Sequence, residues 1–110
     1  MQVSYVREIY PRVQRTIAEA VDACQLSNDV PDELRDCLAE MDREAAEVPR
    51  EFDRDPPHDN RIVERNERLE KLGDRALRAC RDAGNGIDEK TARAVKQAHD
   101  VLSDIKHRLH

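Results

Sequence analysis

"DAGNGIDEKTARAVKQAHDVLSDIKHRLH", residues 82–110, contains a stop, a turn and a start in its first seven positions and then one uninterrupted period. Gly84 and Gly86 flank Asn85, a pattern suited to a left-handed helix C-cap and a tight turn. Asp88 is placed to cap a new helix, because its side chain can accept from amides that have no intrahelical partner. From there Thr91, Val95, Ala98, Leu102, Ile105 and Leu109 alternate steps of four and three, which puts them on one face of a helix. Two helices joined by so short a turn must pack antiparallel.

The same period extends back along the chain. Ile62, Leu69, Leu72, Ala76, Ala79, Cys80 and Ala83 form a broad face in "RIVERNERLEKLGDRALRACRDAG", while Glu64 with Arg68 and Glu67 with Lys71 lace the outer side. Leu34, Leu38, Met41, Ala45 and Val48 follow the start signal "SNDVPDEL", in which Pro31 and the acids Asp32 and Glu33 suit a first helical turn. Val3, Val6, Tyr10, Val13, Ile17, Ala20 and Cys24 give a first seam, with Pro11 inside it predicting a kinked or late start. Pro49 is expected to end the second helix, since a residue before proline avoids helical dihedrals.

These boundaries predict an all-α, single-domain antiparallel four-helix bundle, up-down-up-down. Its helices span about 3–26, 31–48, 60–83 and 88–109, with a long polar connection over 49–59. Leu38, Leu69, Leu72, Val95 and Leu102 are the predicted centre of the core. Small residues on facing stretches, Gly73, Ala76, Ala79 and Ala83 against Ala92, Ala94 and Ala98, predict a close approach of the last two helices.

Composition limits the core and the partners. Only 23 of 110 residues are Leu, Ile, Val or Phe, there is no Trp, and Phe52 is the sole Phe. That fraction sits just above the level of about 20% at which highly charged chains stay disordered. The net charge of −5 divides unevenly, with 12 acids against 4 bases in residues 27–60 and 9 against 12 in residues 61–110. No basic cluster with interleaved aromatics is present, so nucleic acid is not the expected partner. Nor does any run approach the roughly 20 apolar residues of a membrane span, and the first residues lack a signal-peptide pattern, so a cytoplasmic protein is expected. Fifteen Arg against four Lys is a bias common in GC-rich bacterial genomes.

Two sets of side chains could carry chemistry. Up-down-up-down topology puts Cys24, Cys37 and Cys80 near one end, as a possible three-thiolate site or a Cys24–Cys37 redox pair; buried cysteine more often acts as a small hydrophobe. The opposite end gathers His58, His107 and His110 with Asp53, Asp55, Asp59 and Asp104, donors suited to Zn²⁺ or Ni²⁺ if fixed in place. A ferritin-like di-iron centre needs two Glu-x-x-His pairs, and Asp104-x-x-His107 is the nearest approach. Histidine phosphotransfer domains are also four-helix bundles of this size, and His99 in "QAHDVLSDIKH" invites the comparison. In that family a lysine and a glycine typically follow the histidine at three and four residues, whereas Leu102 and Ser103 stand here, and His99 lies on the last helix.

The three serines lie outside any Gly-x-Ser-x-Gly setting, and no Gly-rich phosphate loop follows a strand. The expectation is therefore a non-enzymatic bundle without catalytic residue or cofactor, acting through protein–protein contacts as an adaptor, a regulator or a self-associating subunit. A metal- or thiol-responsive bundle is the alternative, and phosphotransfer through His99 ranks below it. Self-association is favoured because Ile9, Val21, Val63, Leu77 and Val101 widen several seams and an acidic middle could meet a basic segment of a second copy.

Overall fold

Burial follows the predicted seams in a computed structural model of the chain, which describes residues 3–27, 30–53, 59–84 and 87–109. Val6, Val13, Ile17, Leu34, Ile62, Leu69 and Thr91 are wholly inaccessible, and Leu38, Leu72, Val95 and Leu102 are buried with them. Four helices carry these residues: α1 (Val3–Leu26), α2 (Asp32–Phe52), α3 (Asp59–Ala83) and α4 (Glu89–Leu109). Each packs on two others, in a ring α1–α2–α3–α4 that closes on α1. Contacts around the ring pair the start of one helix with the end of a neighbour: Arg7 with Phe52, Arg61 with Glu51, and Thr91 with Ala23; farther along, Lys106 of α4 reaches Glu70 in the middle of α3. The result is an antiparallel four-helix bundle with extents of 46 × 22 × 18 Å. Among the described residues no helix is long and apolar enough to cross a membrane.

The caps behave as local chemistry dictates. Gly84 has φ +56°, the left-handed conformation that ends α3. Asp88 accepts from the Thr91 amide at 3.2 Å and from the Thr91 hydroxyl at 2.6 Å, which closes the first turn of α4. Pro31 precedes α2, and its carbonyl accepts from Leu34 and Arg35. A Cβ built on Gly73 would lie 3.8 Å from the His99 Cα, so α3 and α4 approach as closely as their small residues predict.

The stop expected at Pro49 is corrected, and of the kinked or late start expected at Pro11 the late start is overturned. Helix α1 starts at Val3 and runs through Pro11, and α2 continues three residues past Pro49. Pro11 is exposed and Pro49 half-buried, so both rings sit toward the outer side of their helices. For α2 the reason is Phe52. Its ring packs edge-on against Tyr10 with centroids 6.1 Å apart, Arg7 stacks over it at 5.4 Å, and the Arg7 guanidinium donates to the Phe52 carbonyl at 2.8 Å. Burying a Phe contributes about 1.5–3 kcal/mol and the aromatic pair about 0.5–1.5 more, enough to offset the roughly 3 kcal/mol that an interior proline costs. The connection expected over 49–59 accordingly shortens to the residues between Phe52 and Asp59.

Candidate functional site

Helices α2 and α3 face each other with opposite charge. Glu44 on α2 accepts from Arg65 at 3.1 Å and from Arg68 at 3.4 Å, while Glu51, the last residue but one of α2, lies 3.6 Å from Arg65 and 4.0 Å from Arg61. Glu51 is almost fully buried and Arg65 mostly so, which makes this an ion pair that solvent screens weakly. Tyr10 reaches toward the same place from α1. Burial pushes its phenol far up, with Glu44 adding to the effect and Arg65 opposing it.

Above these pairs an open groove of about 640 Å³ runs between the two helices. Glu40, Glu44 and Glu47, with Arg43 among them, form the α2 rim; Arg68, Lys71 and Arg75 form the α3 rim; Ala46 and Leu72 supply the apolar floor. A second groove, about 360 Å³, lies between α1 and α4, with Glu19 and Asp22 facing Lys90 and Arg93 across Ala23, Leu26 and Ala94.

The cysteines do not converge as one set of three. Cys37 donates to the Leu72 carbonyl at 3.0 Å, and burial raises its thiol. Cys24 is raised by burial as well; Cys80 is pushed up to about 11, by burial first and then by nearby Cys24. All three are buried free thiols, and burial favours their protonated form. Of the histidine cluster, His107 is exposed on α4, whereas His58 and His110 lie outside the described residues. Among the described residues no group of three or more His, Cys, Asp or Glu side chains is arranged to hold a metal ion.

His99 is fixed from two sides. Its Nε2 lies 2.8 Å from Asp74 Oδ1 on α3 and its Nδ1 3.4 Å from Asp100 Oδ1, so both ring nitrogens face carboxylates. One ties the imidazole across the Gly73 approach; the other sits on its own helix.

Two buried polar residues escape a reading of the seams as purely apolar. Asn66 is 5% exposed, and neither its amide nitrogen nor its oxygen has a hydrogen-bond partner among the described residues. Its position between Ile62 and Leu69, four and three residues away, marks it as a seam residue. Glu51 is adjacent to Phe52, the next seam position after Val48, and is buried once α2 extends past Pro49.

No protein-family model, curated protein or solved structure matches the chain. The residues themselves therefore carry the functional argument.

Proposed function

We propose that this bundle works without catalysis, through protein–protein contacts, as an adaptor, a regulator or a self-associating subunit. The observation that carries this reading is the α2–α3 groove, the larger of the two, in which a mainly acidic rim faces a basic rim over Ala46 and Leu72. Opposed charge around an apolar floor suits a helix of complementary pattern, steering its approach and fixing its register. Glu44 on this rim is paired with Arg65 and Arg68, which favours recognition over proton transfer there. Three free thiols and an arginine-rich composition support a reducing, cytoplasmic and bacterial setting.

The test is a pair of charge reversals in the groove, Lys71→Glu with Arg75→Glu, on exposed side chains that the fold does not need. Partners captured by the wild-type chain from native extract should be lost, while the melting temperature stays within about 2 °C of wild type. Elemental analysis of tag-free protein is the counter-test: stoichiometric bound metal would replace this reading with a metal-responsive one.

A further inference from the structure

We propose that the α1–α4 face is a homodimer interface, in which Leu26 of each copy anchors and the two-fold axis runs parallel to the bundle. This names one partner for the interaction role above and rests on that reading. Leu26 is 79% exposed, the one large hydrophobic residue left open to solvent among the described residues, and it borders the α1–α4 groove. Three of the four charges of that groove are unused among the described residues. Glu19, Asp22 and Lys90 have no hydrogen-bond or ion-pair partner among the described residues, in contrast to Glu44 and Glu51 across the molecule. Arg93 pairs with Glu89 one turn away at 2.7 Å, but both are exposed and such a pair is worth little.

The placement of these charges selects the partner and the symmetry. Thr91 meets Ala23, so the acidic residues of α1 and the basic residues of α4 stand at the same height along the bundle. An axis parallel to the bundle lays α1 of one copy on α4 of the other, and Glu19 and Asp22 then meet Lys90 and Arg93 twice over. An axis across the helices lays α1 on α1, acid on acid. Only the first arrangement is self-complementary, as an isologous interface must be. It also covers both Leu26 side chains, each over the small residues Ala23 and Ala94 of the groove.

Light scattering coupled to size exclusion, across a concentration series at moderate salt, reads the outcome. The wild-type chain is expected to run at twice its 12.7 kDa mass. Leu26→Glu should raise the dimer dissociation constant about tenfold or more while leaving the helical circular dichroism of the folded chain unchanged, since the residue is exposed in the monomer, and should make the melting temperature less dependent on protein concentration. Glu19→Lys with Asp22→Lys should also dissociate the dimer, and adding Lys90→Glu with Arg93→Glu should restore it, which an α1-on-α1 arrangement does not allow. The proposal is overturned by a wild type that stays at monomer mass at the highest concentration, or by a dimer indifferent to Leu26→Glu and to the charge reversals. A monomer that still loses its partners on Lys71→Glu with Arg75→Glu refutes this interface and leaves the interaction role standing; bound metal refutes that role itself.

Discussion

Between α2 and α3, Arg61, Arg65 and Arg68 reach across to Glu44 and Glu51, and an aromatic pair from α1 and α2 closes the same end of the bundle. Between α1 and α4, small residues line the contact, and the one described polar link in the interior places the Thr91 hydroxyl 3.3 Å from the Ala23 carbonyl. The inner charges of the first seam pair within the chain, beneath a charged outer rim; the second leaves its charges on its rims. A buried carboxylate needs its arginine, so the first seam is sensitive to the loss of either member. Rim charges in water contribute almost nothing to folding, so the second is free to serve a partner.

The largest expected effects fall at the aromatic end. Phe52→Ala should cost about 3–5 kcal/mol, and because Phe52 is what holds α2 beyond Pro49, residues 49–52 should fray. Denaturant unfolding measures the first effect and amide exchange the second. Leu102→Ala on α4 should cost about 2–5 kcal/mol with no local fraying, which separates a plain core loss from loss of the clamp. Equal exchange over 49–52 in both variants would show that the helix extension owes nothing to Phe52.

Glu51→Ala sharpens the contrast between the seams. It leaves Arg65 mostly buried with Glu44 alone, and should cost about 1–3 kcal/mol. Asp22→Ala on the outer face of α1 should change stability by no more than about 0.5 kcal/mol. If the two cost the same, the charges of the α2–α3 seam are as solvated as those on the rim. Thr91→Val ranks next: the shape is kept, but the Asp88 carboxylate loses a 2.6 Å hydrogen bond, so a loss of about 1 kcal/mol is expected in thermal unfolding.

What the sequence made legible divides along the same line. Gly84 and Asp88 act on their own neighbours, and the turn and cap they form could be placed from residue type alone. The helix period fixed which residues of each seam are buried, because burial follows from angle around the axis. Pro49 misled because its local cost is visible in the sequence, whereas the stabilisation that exceeds it comes from Tyr10 and Arg7, some forty residues earlier. Yet Phe52 stands four residues after Val48, on the period, and that spacing was the available sign. The candidate sites were less legible. Cysteines at one level of a bundle need not face one another, and Cys37 turns instead to a backbone carbonyl of α3. The seam-edge position of His99 was readable; its clasp by Asp74 depends on the close approach at Gly73.

The smallest expected effect is acid sensitivity at the start of α4. The Asp88 carboxyl is held below the usual carboxylate range, first by the Thr91 hydroxyl, which donates to the ionised form, and further by the Thr91 amide and Ser27. Its folded value therefore lies below its unfolded one, near 3.9. The stabilisation is complete above the unfolded value and disappears as the pH falls through the folded one, so melting temperature should drop more steeply below about pH 4 than the remaining carboxylates alone require. Asp88→Asn removes the charge and one of the two acceptor oxygens while still capping the helix, so it should lower neutral-pH stability no more than Thr91→Val does and should abolish this part of the acid dependence. Asp100, also lowered, chiefly by Lys96 and then by His99, is the control: its lysine pair is exposed on the surface of α4, and Asp100→Asn should alter the acid slope less than Asp88→Asn does. Melting temperatures recorded from pH 6 to pH 2 decide between them, and an Asp88→Asn variant with the wild-type slope would place the acid sensitivity elsewhere than this cap.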